Sequence, residues 1–185
     1  MCYFALTTHA MGIVQMISVY GESANLKGSI PKEGDPAPEV RVVASNYQDI
    51  VIGGAKDKPQ LILTVPTLDG EVCPQEIERF DEILGDFGPH VYTYVVSMDI
   101  PHAQKRYCII YSIRNLEIFS DFRYRDLEKY GVLIDSGMLK GLLARAAFIV
   151  DKEGKIRYMQ LVKEQTHEPD YDEIRAALEK VISQT

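Results

Sequence analysis

Cysteine is scarce in this chain: three among 185 residues, at Cys2, Cys73 and Cys108. That is too few for a disulfide scaffold, and none falls in a C-x-x-C pair or in zinc-ligand spacing. Positive charge is also short. With 20 Lys and Arg against 27 Asp and Glu the net charge is −7, which argues against nucleic acid or an anionic membrane as the main partner, since both need a basic face. The N-terminal MCYFALTTHAMGIVQM lacks the basic start of a secretory signal and is too short to span a bilayer. No G-x-S-x-G, P-loop or dinucleotide fingerprint occurs, and GGAK at Gly53 to Lys56 reads as a turn.

What is present is an ordinary globular composition, 46% hydrophobic and 25% charged, sized for one domain with one core. A cytoplasmic location is expected, where a lasting disulfide is unusual and a transient one is catalytic. Met11 and Met16 are alternative starts, so residues 1–15, with Cys2, are expected to form an extension outside the domain at residues 16–185.

The apolar pattern gives the order of elements. Val14 to Lys27 reads as a hairpin turning at Gly21, Glu22 and Ser23, and the proline-rich Ser29 to Glu39 as a loop. VRVVAS and DIVIGG are short strands, and QLILTV (Gln60 to Val65) is apolar enough to be buried on both faces of a sheet. Pro74 to Gly85 places Ile77, Phe80, Ile83 and Leu84 at helical spacing. A strand at Val91 to Ser97 follows, then a helix at Ala103 to Tyr111, a strand at Leu116 to Ser120 and a short helix at Arg125 to Tyr130 stopped by Gly131. Strands at Ala144 to Val150 and Ile156 to Val162 flank the DKEG turn, and a final helix carries Ile174, Ala177, Leu178 and Val181 on one face. This order predicts an α/β thioredoxin-like fold, a central mixed sheet flanked by helices, with an N-terminal β-hairpin extension.

Cys73 falls where the QLILTV strand has ended and a helix begins, with Pro74 suited to the first turn and Glu76 and Glu78 in or near it. Free backbone N–H groups and the positive end of the helix dipole favour negative charge at such a position. Position alone leaves two readings open, a reactive thiol or a small buried hydrophobe.

Several motifs together carry a resemblance. Pro66 and Cys73 give P-x-x-x-x-x-x-C; SMDIPHAQKRYC (Ser97 to Cys108), GLLARAAFIVDKEGKIRY (Gly141 to Tyr158), HEPDYDEIRAAL and GSIPKEGDPAP follow the same family in the same order. The chain resembles the thiol peroxidase subfamily of the peroxiredoxins, the atypical two-cysteine members, over about residues 16 to 183.

The resemblance implies that Cys73 attacks the peroxide O–O bond and becomes a sulfenic acid, and that Cys108 resolves it to an intrachain disulfide. It implies reduction by thioredoxin, no cofactor, no metal, a homodimer, and activity toward hydrogen peroxide and alkyl hydroperoxides. Arg145 matches the arginine set against the active cysteine; alone, it is either a buried cation needing a partner or a strand-edge residue with its head in water. Pro66 and Gly70 match substrate-contacting positions. Because Cys73 and Cys108 fall on separate helices, local unwinding is expected during resolution.

Three positions depart from the family pattern. Gly70 stands where a threonine or serine hydroxyl normally bonds the thiolate and the peroxide, with Thr67 close by as a possible substitute. Pro74 biases Cys73 away from helical dihedrals. His102 replaces phenylalanine in the P-F-A-Q turn and is expected to be a solvated loop residue. Gly70 raises the alternative of a peroxide-sensing or catalytically weakened redox protein. A thiol–disulfide oxidoreductase is opposed by the lack of C-x-x-C, and a metal site of Cys73, Cys108 and His102 has no recognisable ligand spacing.

Overall fold

The computed structural model describes residues 15–70 and 72–184. The expected extension, with Cys2 and Met11, lies outside the described residues except for Gln15. A seven-stranded mixed sheet forms the centre. It is built from β3 (Val40–Val43), β4 (Asp49–Ile52), β5 (Gln60–Thr64), β6 (Tyr92–Ser97), β7 (Glu117–Ser120), β9 (Ala146–Val150) and β10 (Ile156–Leu161), in the order β10-β9-β5-β6-β7-β3-β4. The pairs β5–β6 and β6–β7 are parallel, because α1 (Cys73–Leu84) and α2 (Pro101–Ile110) cross between them. The remaining ladders are antiparallel. This is the thioredoxin-like arrangement that the element order predicts.

All five residues of β5 are buried, and their alternation divides the core. Leu61 and Leu63 pack with Ile77, Phe80 and Leu84 of α1 and with Ile174, Leu178 and Val181 of α3 (Tyr171–Ser183). Ile62 faces the opposite cluster, with Ile17, Leu26, Tyr130 and Phe148. That second face is covered by a small sheet of β1 (Met16–Val19), β2 (Glu22–Lys27) and β8 (Leu133–Ile134). No helix of the described residues is long and apolar enough to cross a membrane.

Four local details differ from the sequence expectation. The hairpin turns at Tyr20 and Gly21, one residue earlier, and both have positive φ (50° and 80°), as a two-residue turn matched to strand twist requires. Helix α2 starts at Pro101, not Ala103. Strand β9 starts at Ala146, so Arg145 stands just before it instead of within it. The segment after Arg125 is a 3₁₀ turn, Asp126–Tyr130, ended by Gly131 at φ 67°. The strand β8 has no counterpart in the expectation.

Candidate active site

Cys73 is the first residue of α1, despite the bias imposed by Pro74, and is 2% exposed. The strand end β5 and the loop from Val65 onward deliver it there. That loop is tied down by Asp99, whose carboxylate accepts from the Thr67 hydroxyl (2.8 Å), the Leu68 N–H (2.8 Å) and the Ser97 hydroxyl (2.8 Å). The Thr67 hydroxyl is thereby committed to Asp99, and it is the methyl and the carbonyl oxygen of Thr67 that lie toward Gly70. It does not replace the missing hydroxyl.

Arg145 is buried, at 2% exposure, and its Nη2 donates to the Cys73 sulfur at 3.4 Å and to the Gln165 carbonyl at 3.1 Å. Its Nη1 forms an ion pair with Glu76, itself buried. The arginine therefore has its partner in the protein interior, and the strand-edge alternative is excluded. The Arg145 N–H also donates to Gln165 Oε1 at 2.6 Å, and Gln165 Nε2 donates to the Val162 carbonyl at 2.6 Å. A buried guanidinium is costly unless paired and hydrogen-bonded; Glu76 and the Gln165 carbonyl hold its two terminal nitrogens, while the buried Nε has no hydrogen-bond partner among the described residues. A guanidinium placed there can stabilise negative charge on Sγ or on an oxygen beside it.

A cavity of about 120 Å³ opens over the sulfur. Pro66, Gly70, Cys73, Arg145 and Gln165 are among its lining residues, together with Val19 and Tyr20 of the hairpin. The hairpin is held there by Glu164, whose carboxylate accepts from the Tyr20 and Gly21 N–H groups at 3.0 and 3.1 Å. Four of the five residues singled out in the sequence, Pro66, Gly70, Cys73 and Arg145, thus meet at one cavity. Cys108 does not line it: it is half-buried on α2, a free thiol packed against the same apolar cluster as Cys73. Burial, and to a lesser extent Asp81, push the Cys108 thiol up, against a smaller opposing pull from a backbone hydrogen bond.

The family model described as Redoxin matches residues 32–175. A thiol peroxidase of Aquifex aeolicus is 50% identical over 170 residues, covering 92% of this chain and 100% of that protein. One from Campylobacter jejuni is 42% identical, covering 88% of this chain and 92% of its own length. The chain belongs to the redoxin family, in its thiol peroxidase branch of the peroxiredoxins. Among solved structures, a peroxiredoxin-like protein from Aquifex aeolicus superposes with a TM-score of 0.87 at 51% identity, covering 90% of this chain and 96% of that one. A thiol peroxidase from Chromobacterium violaceum, at 23% identity and a TM-score of 0.81, shares the fold over 92% of this chain and 98% of its own.

Sequence reasoning missed Glu76 as a partner, because an acidic residue in a first turn is already explained by the helix dipole. Its place three residues after Cys73, one before the buried Ile77, was the available signal. Gln165 carried none. His102 is not a loop residue: it is exposed in the first turn of α2, with Nδ1 hydrogen-bonded to the Tyr47 hydroxyl at 2.5 Å. Among the described residues no group of three or more His, Cys, Asp or Glu is disposed to hold a metal ion.

Proposed function

We infer that this chain is a thiol-dependent peroxidase in which Cys73 is the peroxidatic residue and Cys108 the resolving one. The observation that carries the reading is the 3.4 Å contact between Arg145 Nη2 and the Cys73 sulfur, both in the lining of one cavity. The Cys73 thiolate attacks one peroxide oxygen; the S–O bond forms as the O–O bond breaks, and the departing alkoxide or hydroxide takes a proton. Cys73 is left as a sulfenic acid. The Cys108 thiol then attacks that sulfur, an S–S bond forms and water leaves. A dithiol of the thioredoxin type reduces the disulfide and closes the cycle.

Ionisation alone does not supply the rate. A thiol of pKa ~8.5 is already about 3% thiolate at pH 7, so full ionisation is worth only about 30-fold. The remainder comes from holding the peroxide in line and stabilising the leaving oxygen, which is the role of Arg145, steadied by Glu76 and Gln165. Pro66 and Gly70 bound the space the peroxide enters, and Val19 and Tyr20 in the same lining offer contact to the alkyl group of an alkyl hydroperoxide while leaving room for hydrogen peroxide.

The chain works in the cytoplasm as a homodimer. Ile100, Ile109 and Ile110 on and beside α2 are 53%, 70% and 64% exposed and give a second copy an apolar surface. The deciding experiment is peroxide-dependent NADPH oxidation with thioredoxin and its reductase, in wild type, Cys73→Ser and Cys108→Ser. Wild-type turnover no greater than that of Cys73→Ser overturns the reading, and light scattering in solution tests the dimer.

A further inference from the structure

The helix that carries Cys108 is fastened to the helix that carries Cys73. Tyr107, adjacent to Cys108 and 6% exposed, donates its hydroxyl to the Pro74 carbonyl in the first turn of α1, at 3.2 Å. Its ring packs against Tyr111, centroids 4.5 Å apart, within the apolar cluster that contains Cys73. Burial raises the phenol well above its ordinary value, so it remains a donor throughout the physiological range. A second tether runs from the same helix: buried Gln104 donates to the Ser97 hydroxyl at 3.1 Å, which donates to Asp99, the anchor of the Thr67–Leu68 loop.

Consecutive residues on an α-helix point about 100° apart. Tyr107 is directed at the first turn of α1, whereas Cys108 packs against the same apolar cluster beside a later turn of that helix, where Asp81 acts on it. Both cysteines are free thiols on separate helices, and a rotation or unwinding of α2 that brought them into disulfide geometry would carry Tyr107 with it and pull on its bond to Pro74.

We propose that Tyr107 is a positioning residue that sets when Cys108 meets Cys73: its hydroxyl keeps the first turn of α1 closed under Arg145, and its release admits the resolving thiol. The proposal rests on the roles given above to the two cysteines. The closed form is the one that reduces peroxide; the open form is the one in which Cys108 S–H and Cys73 S–OH condense to a disulfide and water. A second peroxide molecule competes at the closed sulfenic acid, oxidising it to sulfinic acid with release of an alcohol or water. Tyr107 thus governs the partition between resolution and over-oxidation.

Tyr107→Phe removes the donor and keeps the ring. One hydrogen bond lost shifts an opening equilibrium by about 2- to 10-fold. The chain has no tryptophan, so the phases are followed by rapid acid quench, thiol alkylation and mass measurement after one equivalent of hydrogen peroxide. In the variant, disulfide formation is expected to quicken about 2- to 10-fold while sulfenic acid formation does not accelerate. The peroxide concentration that converts half the protein to sulfinic acid should rise by the same factor, and amide exchange at the start of α1 in the reduced protein should quicken. Resolution and exchange equal to wild type, or slower resolution, overturn the proposal alone. A wild-type protein that never forms the Cys73–Cys108 disulfide overturns both it and the cysteine roles on which it rests.

Discussion

Gly70 lies so close to Cys73 that a side chain on it would begin 3.6 Å from the sulfur. The position is open: its other near neighbour is the Thr67 methyl at 3.4 Å, and Gly70 is not among the glycines with positive φ. The Thr67 carbonyl oxygen, 3.9 Å away, is at ordinary contact distance, so a threonine fits there and can bring a hydroxyl to the side of the thiol. Thr67 is bound to Asp99 and supplies no substitute.

Gly70→Thr is therefore expected to raise kcat/KM for peroxide. Removing one positioned donor from an oxyanion site costs ~10²–10³-fold, so restoring one should give at least about 10-fold. Gly70→Val, the same shape without the hydroxyl, should give no gain. Steady-state rates with hydrogen peroxide for the three proteins decide it, and equal rates for wild type and Gly70→Thr would show that the donor is already provided elsewhere.

The Arg145–Glu76 pair is buried on both sides, so its members should not be separable. Arg145→Met leaves a carboxylate without its cation in the core, a loss of about 3–5 kcal/mol, with peroxide reduction falling ~10²–10³-fold. The double variant Arg145→Met, Glu76→Leu should regain much of the stability and none of the activity. Denaturant midpoints and peroxide rates measured together form the test. A double variant no more stable than Arg145→Met alone would mean that Glu76 is not the group left stranded.

Much of this site was legible in the sequence because its parts have local signatures. The continuous apolar run of QLILTV, the apolar spacing of Ile77, Phe80 and Leu84, and a thiol placed between them fix a cysteine at a helix start that follows a buried strand. Arg145 stood out because a cation within an apolar run must find a partner. The partner itself was not legible. Glu76, Asp99, Gln165 and Tyr107 act across 20 to 69 residues of chain, and a hydrogen bond at that range leaves no local pattern. The strand β8 escaped for a related reason: two residues carry too little alternation, and their pairing with Leu26 and Lys27 is set by the tertiary fold. The Tyr20–Gly21 turn was displaced because a tyrosine at positive φ is rare.

Asp121 should make stability depend on pH in a direction opposite to that of paired carboxylates. It is fully buried, and burial pushes its carboxyl up to about 6, although the Leu127 and Asp126 N–H groups donate to it at 2.9 Å and hold it down. A raised folded value means the folded chain binds the proton more tightly than the unfolded chain. Its contribution is complete below the ordinary value near 4 and is lost as pH rises through about 6. Two units correspond to roughly 3 kcal/mol. The stability of wild type relative to Asp121→Asn should fall by up to that amount between pH 4 and 6, measured by urea unfolding; a constant difference would place the charge elsewhere.

The Cys108 thiol gives a pH dependence of rate. Burial raises it above its ordinary value of 9.0, with Asp81 adding to the effect. Being raised, it favours the folded chain while protonated, and that contribution is lost as pH climbs through the folded value. Alkaline pH then acts twice in the same direction, loosening the α2 packing and supplying the attacking thiolate. The thiolate fraction grows about tenfold per pH unit below the thiol pKa, so disulfide formation after a single peroxide turnover should steepen toward that slope between about pH 7 and 9. Quenched-flow alkylation of the Cys73 sulfenic acid measures it. A flat profile over that range would mean that thiolate supply at Cys108 does not limit the step and that opening of the two helices does.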